Sequence, residues 1–265
     1  MKKNCCIILL IIFSVTISAC QNNHKTSEAT KASTAEIVEE DSIKQVIEAD
    51  ANKDEFIEGV WIKNYPGNSA CFELANKDGY QIVCDPYLIN DDIQPDLVTE
   101  SHQHGDHNDT STFKEPYELI TEPGDYVYNG ITIRGFSGKH NIGDKEVTNI
   151  IYVFDIDGIK IAHFASQGEV PTTETLKQIG PVDVLLVQIF SGPGYGKLEV
   201  KDIDSIVSTL KPKIIIPEHG GYAIEKKLAV HMKLDEVYKT SGTLIVTRKM
   251  LDEIKEVKLI SLDSN

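Results

Sequence analysis

The chain has 265 residues, 41% of them hydrophobic, and a formal net charge of −15 from 41 acidic against 26 basic side chains. That length suits one α/β core with appendages. The acidic balance excludes a reader of phosphate backbones, which needs a basic face, so nucleic acid is expected neither as partner nor as substrate.

In chain order, Lys2 and Lys3 precede an apolar run from Ile7 to Ile17, too short to span a bilayer comfortably and sized for the hydrophobic region of a signal peptide. The run ends in "ISAC", and small residues directly before Cys20 resemble the lipobox of bacterial lipoproteins. That resemblance implies a signal peptide over residues 1–19, acylation of Cys20, and an extracytoplasmic domain anchored on the cell membrane by lipid. A plain secretory signal or a short anchor is the alternative. Residues 20–52 read as the lipidated cysteine and a flexible tether, with His24 solvated and a short helix expected from Ile43, Val46 and Ile47. The folded domain is expected over 53–265.

From about Phe56 the chain is rich in β-branched and aromatic runs separated by Gly, Asn and Asp: "GVWIKNY", "ACFELA", "YQIVCD", "DLVTES", "GITIRGF", "TNIIYVFD" and "GIKIAHF". Cys71 and Cys84 flank an Asn-Lys-Asp-Gly turn. A four-residue loop would set them opposite each other, so either a cross-strand disulfide or two buried thiols is expected. The texture then changes. "TTETLKQIG" predicts a capped helix ended by Gly180, "VDVLLVQI" and "KIIIP" predict buried strands, and "KDIDSIVSTLK" predicts an amphipathic helix. "EKKLAVHMKLDEVY" is amphipathic too and puts His231 on a surface. Meandering strands followed by strand–helix alternation make an α/β layered domain.

The chemistry concentrates in "SHQHGDH", where His102, His104, Asp106 and His107 fall within seven residues of a chain with eight histidines in all. Positions two apart on an extended segment project to one side, so His102, His104 and Asp106 converge while His107 points elsewhere, which suits a second metal beside the first. Clustered imidazoles without a metal would repel once protonated. With a carboxylate they form a nitrogen and oxygen ligand set for zinc or a similar divalent ion. The alternative is a polar turn with unrelated histidines.

"HQHGDH" resembles the His-x-His-x-Asp-His signature of the metallo-β-lactamase superfamily. Later motifs occur in the family's order: "SGKHN" supplies His140 and "IIIPEHGG" supplies His219. The resemblance implies a four-layer αβ/βα sandwich with two divalent ions, zinc first and manganese or iron as alternatives. It puts one ion on His102, His104 and His140, and the other on Asp106, His107 and His219. "DGIKIAHFASQG", "VDVLLV" and "LKPKIIIPEHG" look most like the branch that includes ascorbate-6-phosphate lactonase. There the pattern reads His-x-Gly-Asp, with the aspartate bridging both metals. This chain has His163, Phe164, Ala165 and Ser166, so a serine stands at the bridging position.

Ser166 admits three readings: a dead site, a mononuclear enzyme, or a dinuclear site working with six ligands, as one zinc β-lactamase subclass does. The last is preferred because all six other ligands are present. The resemblance then implies a hydrolase in which two metals activate a hydroxide against an ester, lactone, amide or phosphodiester of a small molecule. Asp106 orients the hydroxide, and His163, otherwise a group hydrogen-bonded to a ligand, is a proton donor for the leaving group. Asp85, in "VCDPYL", resembles the family's Asp-Pro and is expected to buttress the metal loop. "SGPGYG", with Tyr195, reads as a flexible connection or a pocket wall. The rival function is a lipoprotein that binds a ligand or metal without turnover.

Overall fold

Two facing β-sheets organise the structure, a computed structural model that describes residues 58–65, 68–89, 93–142, 145–189, 198–218 and 222–262. The residues of the expected signal peptide, Cys20, the expected tether and short helix, the "SGPGYG" segment with Tyr195, and His219 lie outside the described residues.

The smaller sheet begins with β1 (Val60–Tyr65), β2 (Asn68–Ala75), β3 (Gln81–Cys84), β4 (Leu97–Thr99) and β5 (Glu118–Ile120). The larger one follows with β6 (Gly124–Tyr128), β7 (Ile131–Ile142), β8 (Lys145–Ile156) and β9 (Ile159–His163). Alternation with helices then begins: α1 (Thr173–Ile179), β10 (Val184–Gln188), α2 (Ile203–Leu210), β11 (Ile214–Glu218), α3 (Tyr222–Met232) and β12 (Val237–Thr240). Then β13 (Thr243–Val246) returns to the smaller sheet, and α4 (Arg248–Glu253) and β14 (Lys258–Leu262) close the chain. The sheet orders are β13-β1-β2-β3-β4-β5 and β12-β14-β11-β10-β9-β8-β7-β6.

The period of two in the strands explains how uninterrupted apolar runs serve two interiors. Val184 and Leu186 of β10, with Ile214 and Ile216 of β11, point between the sheets, where Ile62, Phe72, Leu74 and Ile82 of the smaller sheet meet them. Leu185, Val187 and Ile215 point the other way, against Leu176 and Ile179 of α1, Ile203, Ile206 and Leu210 of α2, and Leu228 of α3. Thr172 caps α1 by accepting from the Thr175 N–H at 3.1 Å, and Gly180 ends it with φ 73°, so the capped helix lies where the sequence puts it. The outcome is the layered α/β architecture expected.

The loop between β2 and β3 runs from Asn76 to Tyr80, one residue longer than the turn read from sequence. The register therefore sets Cys84 opposite Phe72, not opposite Cys71. Neighbouring residues on a strand face opposite sides, so Cys84 lies between the sheets and Cys71 on the outer face with Tyr65, Val83 and Ile89. Both are buried free thiols, and burial pushes both thiol pKa values up, so neither is a thiolate.

This topology gathers the chemical residues at one end of the sandwich. β3, β4 and β5 run parallel, as do β9, β10 and β11. The histidine-rich loop leaves the C-terminal end of β4, the Ser166 turn leaves β9, and Glu218 ends β11. The C-terminal ends of parallel strands are where open α/β sheets collect their ligands.

Candidate metal centre

Four imidazoles meet here. His102 lies 4.6 Å from His104, 4.1 Å from His107 and 4.9 Å from His140, centroid to centroid. Ligand nitrogens of His102, His104 and His140 all come within 4.8 Å of one another. The first three arrive on one loop. His140 arrives on β7, whose paired strand β8 ties the loop down through Ile150 N–H donating to the Ser101 carbonyl at 2.8 Å.

Asp85 and Ser101 decide which ring nitrogens are bare. Asp85 follows β3 with φ 52°, a left-handed conformation that persists in a non-glycine residue only where its surroundings over-determine it. Its carboxylate accepts from the Ser101 N–H and the Ser101 hydroxyl, each at 2.6 Å. His107 Nδ1 lies 2.9 Å from the same carboxylate. An ionised carboxylate only accepts, so His107 carries its proton on Nδ1 and turns Nε2 towards the site. The Ser101 hydroxyl has one proton, spent on Asp85. His102 Nδ1, 2.8 Å from that oxygen, must therefore donate, which leaves His102 Nε2 bare. His140 Nδ1 is buried without a hydrogen-bond partner.

The electrostatics agree. Burial, followed by the neighbouring His107, drives His102 down to about 2, and burial first also lowers His140, so both are neutral and able to ligate. Burial disfavours the Asp85 charge, but the His107 hydrogen bond and charge outweigh it and hold Asp85 at about 2. Burial likewise pulls His107 down, and Asp85 outweighs it and raises His107. Replacing Asp85 with asparagine, which keeps the shape and loses the charge, is expected to weaken metal affinity about 10- to 100-fold. Isothermal titration of the wild type and the variant measures it, and equal affinities would remove Asp85 from the site's support.

A divalent ion fits this donor set on an observation internal to the fold. His102 Nε2 and His140 Nδ1 are buried with no hydrogen-bond partner. A buried unsatisfied nitrogen costs about 1–3 kcal/mol, and two of them within one cluster of three imidazoles are explained by a common ligand. On His102 and His107 the second nitrogen is fixed by a hydroxyl and a carboxylate, the arrangement that orients metal-binding histidines.

The remaining residues read from sequence fall as follows. Asp106 is at the mouth, its side chain 59% exposed and its Oδ2 3.8 Å from His107 Nε2. Ser166, buried, sets its hydroxyl 3.3 Å from the same nitrogen, and Ala165 before it has φ 50°. Asp106 and Ser166 thus both approach His107 Nε2, while His102 lies between His107 and the His104–His140 pair and also forms a second candidate group with Asp85 and His107. His163 is fully buried beneath, its Nε2 3.5 Å from Glu218 Oε2 and its ring edge-on to Phe72 at 5.9 Å. Burial lowers His163 but the Glu218 charge outweighs it, and Glu218 is raised by burial despite His163. His231 is remote, bound to Asp204 at 3.0 Å. Sequence reasoning missed Ser101, Glu218, Asn149 and Gln167. Ser101 had a signal, as the polar residue abutting the first histidine, and the others had none.

Residues 64–219 match the family described as the β-lactamase superfamily domain, more than half of the chain. A UPF0173 metal-dependent hydrolase from Carboxydothermus hydrogenoformans is 27% identical, the match covering 55% of this chain and 79% of that protein. A proposed Zn-dependent hydrolase of the metallo-β-lactamase superfamily from Thermotoga maritima superposes with a TM-score of 0.62 at 29% identity, over 76% of this chain and 97% of its own. A proposed metal-dependent hydrolase from Parabacteroides distasonis shares the fold, with a TM-score of 0.51 at 15% identity over 63% of this chain and 86% of its own.

Proposed function

The chain belongs to the β-lactamase superfamily domain family, and from that premise we propose that it is a metal-dependent hydrolase of a small-molecule ester, lactone, amide or phosphodiester. The observation that carries this reading is the clustering of His102, His104 and His140, whose ligand nitrogens lie within 4.8 Å of one another, with His102 Nε2 and His140 Nδ1 buried and without a hydrogen-bond partner. His102, His104 and His140 would hold a first ion. Asp106 and His107, with His219 from the sequence, would hold a second. Zinc is the first expectation for such nitrogen-rich sets.

A divalent ion there supplies Lewis acidity, polarising a substrate oxygen and making water nucleophilic near neutral pH. The protein's part is orientation and proton handling. Asp85 and Ser101 hold His107 and His102 in the tautomers that leave Nε2 bare. Asp106, exposed at the mouth, would orient the attacking water and accept its proton. The leaving group needs a proton in return. The buried position of His163 suits a role through Glu218 and the floor of the site better than direct contact with a leaving group.

The finer placement in the ascorbate-6-phosphate lactonase-like branch, export, lipidation of Cys20 and attachment to a membrane belong to this proposal. They rest on sequence wording alone. A second reading, ligand or metal binding without turnover, is favoured by one observation: Ser166 offers a neutral hydroxyl where the family wording has a bridging carboxylate. A panel of esters, lactones, amides and phosphodiesters separates the two. Turnover abolished by a chelator and restored by zinc or manganese is the expected result. Ligand uptake without product would transfer the assignment to a binding protein.

A further inference from the structure

The strand carrying His140 and the turn carrying Ser166 are joined by one buried amide. Gln167 is 2% exposed. Its Oε1 accepts from the Lys139 N–H at 3.0 Å and from Asn149 Nδ2 at 3.2 Å, and its Nε2 donates to the Glu169 carbonyl at 2.9 Å. The main chain repeats the join, with Gly168 N–H donating to the Lys139 carbonyl at 2.7 Å. Asn149 Nδ2 also donates to the Phe164 carbonyl at 3.1 Å. Asn149 sits opposite Gly138 in the β7–β8 pair and next to Ile150, the residue that holds Ser101. One side chain thus reaches the His140 strand, the Ser166 turn and, through β8, the loop of His102.

Gly138 completes the arrangement from the other side. A Cβ there would lie 2.1 Å from Gln167 Oε1 and 3.2 Å from the Asn149 carbonyl oxygen, so the glycine leaves the room that the amide occupies. Packing alone does not call for this. An apolar side chain would fill the space without an amide to desolvate, whereas a hydrogen-bonded amide fixes direction. Direction matters here because Lys139, held from this turn through both its N–H and its carbonyl, is the chain neighbour of His140.

We propose that Gln167 is a positioning residue of the metal centre, clamping the Ser166 turn to the β7 strand so that the His140 ring stays clustered with His102 and His104. Gln167 touches neither substrate nor ligand nitrogen, and its effect runs through His140. The assignment rests on the reading of these three histidines as metal ligands.

Cobalt(II) titrated into the purified full chain tests it, with affinity from competition against a chromophoric chelator and geometry from the visible absorption bands. Gln167→Met is expected to weaken cobalt binding about 10- to 100-fold and to alter those bands. Gln167→Glu, which keeps an acceptor oxygen towards Lys139 and Asn149, is expected to recover part of both. Gly138→Ala approaches from the opposite side: alone it reproduces the loss, and combined with Gln167→Ala it adds little to that variant's own effect. Gln167→Met binding within about twofold of wild type with unchanged bands would overturn the assignment. So would a folded Gly138→Ala that binds as wild type does. A wild type that takes up no cobalt overturns the metal reading beneath it as well, so the two failures are told apart.

Discussion

His102→Ala is expected to cost the chain its tightly held ion while leaving the metal-free fold as stable as before, or more so. The two halves have separate causes. His102 supplies one of three nitrogens to the first position, and losing even an orienting partner of a metal ligand costs about 10- to 100-fold in affinity. Losing the ligand itself is therefore expected to exceed 100-fold, and turnover should fall with it. The metal-free fold loses little, because His102 belongs to neither large apolar core and its Nε2 is an unsatisfied buried atom there. Removing such an atom relieves about 1–3 kcal/mol, which offsets the loss of the His102 Nδ1 hydrogen bond to the Ser101 hydroxyl. Thermal melts with and without zinc read both halves at once, since a ligand bound only by the native state raises the melting temperature. Zinc should stabilise the wild type and His231→Ala, whose ring is bound to Asp204 far from the cluster, and should not stabilise His102→Ala. A zinc-induced rise surviving in His102→Ala would refute the three-histidine site.

The residues that carry this prediction were legible in the sequence because their spacing is local. Three histidines and an aspartate within six residues need no knowledge of the fold to be brought together. β10 and β11 were legible for the same reason, as apolar runs bounded by helical patterns. Less was legible where long-range pairing decides. β13, four residues long, is a strand because it pairs with β1 far back in the chain, and β6 is a short edge strand of alternating exposure. The Cys71–Cys84 register turned on a single loop residue, since a shift of one flips every side chain to the other face. In the site, the candidate ligands announced themselves and their orienting partners mostly did not. Asp85 was readable only by resemblance. Gln167 acts on a strand 28 residues away, and no local pattern marks it.

Ser166→Asp is expected to tighten the second metal position by on the order of 100-fold, the opposite of what an aspartate in a structural turn would do. The Ser166 hydroxyl lies 3.3 Å from His107 Nε2, on the side of the cluster where Asp106 also approaches. A carboxylate there would face the second ion with a negative charge in place of a neutral oxygen. One unit-charge pair 4 Å apart is worth about 4 kcal/mol at the effective dielectric of a protein surface. Burying the new carboxylate offsets part of that, leaving roughly 2–3 kcal/mol, and 1.4 kcal/mol is a factor of ten. The wild type should accordingly take up one zinc tightly and a second only at higher free zinc, whereas Ser166→Asp should retain two through gel filtration. Elemental analysis of the purified chains counts them. If turnover by the wild type rises with free zinc over the range that fills the second position, two ions are needed. If turnover saturates with the first ion, the serine defines a mononuclear enzyme, and Ser166→Asp will gain metal without gaining rate. Equal zinc content in wild type and variant would mean that the missing carboxylate is not what limits the second position, and that Asp106, His107 and His219 suffice without it.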